Sequence, residues 1–303
     1  MQKTEVAAGV YFYTDNSIAR DYSNSSVVLT EAGPVVIDTF ARPEQWQIVE
    51  KSIQEAGYQE PCAVIFTHAH LDHVLGLQVD EPRYPIYAHA ATPAALRAVA
   101  ANRLAGLIER GRFSSDTKVV LPTDTFEREL TLEFGSHVFR LIHNPWHTVD
   151  SIMVYQERTG ILFAGDTVGA LGDRIAVLRW DDQHCSGQGR RQFLDAVSAM
   201  ENLNPAVLVP GHGAVTDPGR YFSTIRAYDR GLRAWVRETR AAGDECGSLQ
   251  TVRPSDIFDK QFAAGIVHID IGQESTFTAN LLSTCNSMES RADPKRQQHI
   301  EEC

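Results

Sequence analysis

The sequence predicts an α/β fold in which strands and helices alternate, and three observations predict it. Short runs rich in Val and Ile, such as "SSVVLT", "PVVIDT" and "CAVIFTH", are bounded by turn residues, as strands are. Two longer stretches carry apolar residues at helical spacing. One has Phe193, Val197, Met200 and Leu203; the other has Tyr221, Ile225, Tyr228, Leu232, Trp235 and Val236. Histidines and aspartates repeatedly fall where an apolar run ends, at the sheet edge where loops and function gather.

Taken in order, "SSVVLT" and "PVVIDT" flank "EAG" and read as a hairpin. Pro43 opens a helix over "PEQWQIVEKSIQEAG" and Gly57 closes it. "CAVIFTH" is a buried strand that ends where a histidine cluster begins, and "PIYAHA" is a second strand. Thr92 and Pro93 cap a helix running to about Arg110, with Gly111 after it. "LTLEF", "HVFRLIHN", "SIMVYQ" and "GILFAGD" follow as strands, with "ERTG" a turn between the last two. The helix "GRRQFLDAVSAMENL", the strand and Gly-rich loop "AVLVPGHG" and the helix "RYFSTIRAYDRGLRAWVRETRAAG" come next. After Gly243 the pattern weakens: "PSDIFDKQFA" reads as a short helix and "IVHIDIGQ" is ambiguous. The expected organisation is a main domain over 1–243, an extension packed on it over 244–285, and a polar, flexible tail over 286–303.

The 303 residues, 43% hydrophobic and 22% charged, are enough for a sizeable core in one large domain or two small ones. A net charge of −11 with scattered basic residues argues against a nucleic-acid partner, which needs clustered Lys and Arg. Cys62, Cys185, Cys246, Cys285 and Cys303 are odd in number, widely spaced and without a CxxC pair. No disulfide framework is expected, and a reducing cytoplasmic setting is the simpler reading. "MQKTEVAAGVYFYTD" lacks the apolar stretch of a signal peptide, and no run is long enough to span a membrane. Nothing in the sequence specifies an oligomeric state.

The informative cluster is "THAHLDH", Thr67 to His73. His68, His70, Asp72 and His73 cannot share one strand face. An irregular loop can turn the first two toward one point and the last two toward a neighbouring one. His147 follows "HVFRLIHNPW", Asp166 ends "GILFAG", His212 follows "AVLVPG" and Asp38 ends "PVVI". Imidazole and carboxylate suit a borderline-soft ion such as Zn²⁺. Seven such donors match what two ions need when a carboxylate bridges, whereas a single catalytic ion needs about three. "WDDQHCSG", Trp180 to Gly187, reads as an ordinary loop, and His143, four residues before His147, is the other histidine to check.

"THAHLDH" resembles the HxHxDH signature of the metallo-β-lactamase superfamily. "VVIDT", "HTVDS", "FAGDT" and "PGHG" follow the family's order, over about three-fifths of the chain. The resemblance implies an αββα four-layer sandwich of two mixed β-sheets flanked by helices. It implies that His68, His70 and His147 bind one metal, that Asp72, His73 and His212 bind a second, and that Asp166 bridges them. It makes Asp38 an outer group orienting the histidine loop; simple turn-capping is the plainer alternative. Two zinc ions per chain are the implied cofactors, with iron or manganese as alternatives.

The sequence departs from the family pattern in two places. Trp146 and Asp150 replace glycines of the usual GHTxGS motif, and "HTVDS" looks closer to the "HTPDN"-like form of true β-lactamases. Asp166, by contrast, matches glyoxalase II-like and lactonase-like members, where two β-lactamase subclasses carry Cys. The expected chemistry is hydrolysis of a small ester, thioester or lactone, with a metal-bridging hydroxide attacking the carbonyl carbon and Asp72 accepting a proton. A β-lactamase is the first alternative and a mononuclear iron dioxygenase the second. Trp146, Arg174 and Arg179 are the expected residues of the pocket for this small-molecule substrate.

Overall fold

In the computed structural model, which describes residues 1–15, 23–178, 180, 189–243, 251–268 and 275–289, central strands send alternate side chains into two different cores. The first half contributes β1 (Gln2–Ala7), β2 (Val10–Thr14), β3 (Ser25–Thr30), β4 (Gly33–Ile37), α1 (Pro43–Glu55), β5 (Ala63–Ile65) and α2 (Leu71–Val74). Then come β6 (Ile86–His89), α3 (Thr92–Val99), α4 (Ala105–Glu109) and β7 (Asp124–Phe126). Strands β1 to β7 form one seven-stranded sheet in sequence order. Its first three pairings are antiparallel, and those from β4 to β7 are parallel.

The second half contributes β8 (Glu129–Phe134), β9 (His137–His143), β10 (Ile152–Gln156), β11 (Ile161–Phe163), β12 (Gly169–Leu171) and β13 (Arg174–Val177). It continues with α5 (Gly189–Asn202), β14 (Val207–Val209), β15 (His212–Gly213), α6 (Pro218–Ala241), α7 (Pro254–Ile257), α8 (Lys260–Ala264), β16 (Ile266–His268) and α9 (Thr276–Glu289). A five-stranded sheet runs β14-β11-β10-β9-β8, and a small four-stranded one runs β15-β12-β13-β16.

The layering follows from the two-residue period of a strand. Val28, Val35, Ile37, Ala63 and Ile65 meet Phe139, Leu141, Ile152, Val154 and Phe163 between the large sheets. Val27, Val36 and Val64 point the other way and pack under Trp46, Val49 and Ile53 of α1 and Leu96 of α3. On the far side, Met153, Leu162 and Leu208 pack under Phe193, Val197 and Met200 of α5 and Tyr221 and Ile225 of α6. The result is the αββα sandwich. Each fully buried side chain of α1 contributes roughly 1.5–3 kcal/mol.

The differences from the sequence reading have local causes. The helix from Thr92 is interrupted by a π-turn over Ala100–Leu104. "PSDIFDKQFA" is two helices, because the Asp259 side chain accepts from Phe262 N–H and starts α8 afresh. Helix α9 carries no clear apolar stripe: Thr276, Asn280, Ser283 and Thr284 are buried polar residues. It runs through Glu289, past the expected start of the tail, while 290–303 lie outside the described residues. Strand β16 ties the segment after Gly243 to the domain by parallel pairing with β13. Cys285 is disulfide-bonded, and Cys62 is a free thiol. The cysteine pattern therefore gives no support to a reducing compartment. Among the described residues, no helix is long and apolar enough to cross a membrane.

Candidate metal centre

The donors converge because parallel and antiparallel strand ends meet at one sheet edge. Strand β5 delivers His68 and His70, and the four-residue helix α2 presents Asp72 and His73. The loop between β9 and β10 carries His147, a 3₁₀ turn after β11 holds Asp166, and β15 begins at His212. Within one group, single donor atoms of His68, His70, His147 and Asp166 lie within 4.8 Å of one another. Asp72, His73 and His212 form a second group under the same limit.

Asp166 stands between the groups. Its Oδ2 lies 3.3 Å from His147 Nε2, 3.7 Å from His68 Nε2 and 3.4 Å from His212 Nε2, and its Oδ1 lies 3.2 Å from His73 Nε2. His70 Nδ1 is 3.0 Å from His147 Nε2, and Asp72 Oδ2 is 3.3 Å from His212 Nε2. Ligands held about 2.0–2.1 Å from a tetrahedral ion would be about 3.3 Å apart, so these separations suit shared ions.

The hydrogen bonds around the donors make the same point. Asp38 Oδ1 accepts Thr67 N–H at 2.8 Å, while Oδ2 accepts the Thr67 hydroxyl at 2.7 Å and faces His73 Nδ1 at 2.8 Å. With its hydroxyl proton committed to Asp38, Thr67 Oγ1 accepts from His68 Nδ1 at 3.0 Å. Both rings thus carry a proton on Nδ1, which leaves Nε2 as the inward donor. His68 Nε2, His73 Nε2 and Asp166 Oδ1 are buried atoms that make no well-aligned hydrogen bond among the described residues, although His73 Nε2 and Asp166 Oδ1 lie 3.2 Å apart. Buried polar atoms are ordinarily paired, so this set fits a bound cation.

Burial and charge set the protonation of the metal-free site. Burial, reinforced by the neighbouring His73 charge, lowers His68 well below the histidine range. Burial also lowers His70, and it pushes His147 down to about 4. For His73 and His212 burial works in the same direction but is overridden by Asp166 and by hydrogen bonds. His73 is raised well above its usual value, and His212 rises to about 9. Burial opposes ionisation of Asp72 and Asp166, yet contacts with His212 and His73 hold both carboxyls below the usual range.

All seven expected donors and Asp38 are therefore brought together. Of the expected pocket residues, Trp146 and Arg174 do not join them. Trp146 is 5% exposed and belongs to the core beneath α5 and α6, its ring 4.6 Å from Phe193. Arg174 is exposed opposite Leu171, the end of the β12–β13 hairpin away from Gly169, which pairs with His212. Arg179 lies outside the described residues, as does "WDDQHCSG" apart from the buried Trp180. His143 stacks on His89 at 3.9 Å, and its Nε2 donates to Val149 O. Thr67 and Gly211 were not anticipated. A Cβ on Gly211 would lie 2.0 Å from Asp166 Oδ1, so only glycine lets the two loops close.

A family model for the metallo-beta-lactamase superfamily matches residues 18–212, and the chain belongs to that superfamily. A lactamase-like protein, aptB, of Emericella nidulans is 26% identical over 231 residues, which cover 74% of this chain and 63% of that protein. The chain thus spans less than two thirds of that curated relative's length. A beta-lactamase domain protein from Burkholderia ambifaria superposes with a TM-score of 0.63 at 18% identity, over 96% of this chain and 88% of the other. A metallo-beta-lactamase from Pontibacter korlensis gives a TM-score of 0.57 at 21% identity, over 73% and 95%. At these identities the two structures speak for the fold alone.

Proposed function

We propose that this chain is a metal-dependent hydrolase with two zinc ions, acting on a small ester, thioester or lactone. The observation that carries the two-ion reading is the reach of Asp166, whose oxygens face His147 and His68 of one group and His73 and His212 of the other. In this reading His68, His70 and His147 would hold one ion and Asp72, His73 and His212 the other, with Asp166 lying between the two groups. Bound there, the ions supply Lewis acidity and bring the pKa of water from 15.7 toward about 7.

The chain's own residues do the rest. Asp38 and Thr67 hold the His68 and His73 rings in one tautomer, so the donors need not reorganise. Asp72, whose Oδ2 lies 3.3 Å from His212 Nε2, would accept the proton of the attacking water. Asp at position 166, where two β-lactamase subclasses have Cys, supports the ester, thioester or lactone assignment over a β-lactam. The net charge of −11 supports a small-molecule substrate rather than nucleic acid.

Metal quantification joined to a hydrolysis panel tests the reading. Two zinc ions per chain, with turnover of a thioester or lactone that is lost in Asp72→Ala, is the expected result. Turnover of nitrocefin alone would move the assignment to a β-lactamase. A single iron with oxygen uptake would replace hydrolysis by oxidation, and phosphodiester cleavage alone would overturn the carbonyl class.

A further inference from the structure

Trp146 stands where the superfamily resemblance has glycine, and the ligand geometry does not require so large a side chain. Its packing gives it a different role. The indole lies 4.6 Å from the ring of Phe193 on α5. Phe193 in turn stacks on Trp180 at 5.8 Å with an interplanar angle of 28°. Trp180 is 1% exposed and meets Tyr228 of α6 edge-on at 5.5 Å. Its backbone N–H donates to Asn280 Oδ1 at 2.8 Å, and Asn280 Nδ2 donates to Leu178 O at 3.0 Å. Asn280 is 0% exposed, so this buried amide clamps the backbone on both sides of residue 179. At the other end of the ring chain, His147 follows Trp146 directly, with ring centroids 6.3 Å apart.

The loop bearing His147 has its own hydrogen bonds. Asn144 N–H donates to Ser151 O, Trp146 N–H to Asn144 O, and Thr148 N–H to Ser151 Oγ. These bonds lie within residues 144–151 and set the shape of the loop. His143 Nε2 donates to Val149 O and ties the loop to the end of β9, while the buried indole makes its contact with α5. Close-packed rings pass a displacement on rather than absorb it, because no void is available to take it up.

We infer that Asn280 on α9 is a positioning residue for the metal centre, acting through Trp180, Phe193 and Trp146 to set where His147 Nε2 sits. Helix α9 lies beyond residues 18–212, the part matched by the family model. The inference rests on the proposed role of His147 as a ligand and goes beyond it.

The test is a Co²⁺ titration of the metal-free full chain, followed by d–d absorption, with circular dichroism and Tm to verify folding. Asn280→Leu is expected to weaken binding of the ion held by His147 about tenfold, the low end for outer partners of a ligand, and to change the absorption envelope. In a Trp146→Gly background, where the ring chain is cut, Asn280→Leu is expected to add no further loss. Phe193→Leu serves if Asn280→Leu does not fold, because it breaks the ring chain and keeps an apolar side chain. Unchanged affinity and spectrum in a folded variant overturn the inference, as does an equal loss with and without Trp146. His147→Ala separates the two levels. If it binds Co²⁺ like the wild type, the ligand reading has failed; if it alone loses binding, only the relay from Asn280 has failed.

Discussion

Asp38 Oδ2 sits 2.8 Å from His73 Nδ1, on a residue whose backbone φ is +57°. A non-glycine residue in that region costs on the order of 1–3 kcal/mol and persists only where its surroundings hold it. Here the hold is visible. Asp38 N–H donates to Ile65 O, its carbonyl accepts from Ser25 Oγ, and its carboxylate accepts both Thr67 donors. The strained backbone aims one carboxylate at two histidine-bearing segments.

Replacing Asp38 with asparagine leaves one oxygen where three donors need acceptors. Asp38→Asn is therefore expected to weaken metal affinity at the His73 group roughly ten- to hundredfold while the protein stays folded. Competition with a chromophoric chelator reads this directly. Wild-type affinity in the variant would reduce Asp38 to a turn-capping residue.

Gly211 offers a test of the loop closure behind Asp166. A Cβ there would also approach Gly165 C at 2.9 Å, so the contact cannot be relieved by side-chain rotation alone. Gly211→Ala is expected to displace Asp166 and to lower metal stoichiometry as well as turnover. Elemental analysis of the purified variant decides it; a full metal complement would show that the loops have room to move.

The pH dependence of loading follows from the signs of the shifts. Ligand histidines must be neutral to bind. Burial lowers His68 and His70 and puts His147 at about 4, so the first group takes an ion near pH 7 without releasing protons. In His73 and His212 burial opposes protonation, but Asp166 and the hydrogen bonds win, with His212 at about 9. Filling the second group should release protons at pH 7, and its affinity should rise with pH until about 9. Calorimetry in buffers of different ionisation enthalpy measures the release, and an affinity flat between pH 6 and 9 would contradict it.

The cysteines make a separate prediction. Burial, outweighing weak hydrogen bonds, pushes the Cys62 thiol up to about 11. At pH 8 only about one molecule in a thousand then carries the reactive thiolate. Iodoacetamide should modify Cys62 far more slowly in the folded protein than in the unfolded one, and peptide mapping should find Cys285 unmodified before reduction and modified after it. Reduction should also lower Tm, because a disulfide restricts the unfolded chain.

Much of the centre was legible because its signal is local. "THAHLDH", "FAGDT" and "PGHG" each place a candidate metal-ligating side chain at the end of an apolar run, and strand ends meet at one edge of a sheet. The αββα layering was legible for a related reason: alternation in "PVVIDT" and "CAVIFTH" sends neighbouring residues to opposite faces. Helix α9 was not legible, because buried Thr, Asn and Ser erase the apolar period that marks a helix.

By itself, then, the sequence determined the donor set, the order of most elements and the superfamily, all of which depend on residue type and short-range spacing. The tertiary structure alone decided which way the remaining side chains face. Trp146 reads as a pocket residue beside His147, yet it is buried under α5; Arg174 follows Asp166 closely but sits opposite Leu171, at the end of the β12–β13 hairpin away from the Gly169–His212 pairing. Thr67 sits inside the quoted cluster, but its part in fixing two tautomers depends on Asp38, 29 residues earlier. The Asn280 contact with Trp180 spans 100 residues. Burial and hydrogen-bond partners are properties of contacts between distant segments, and no local pattern encodes them.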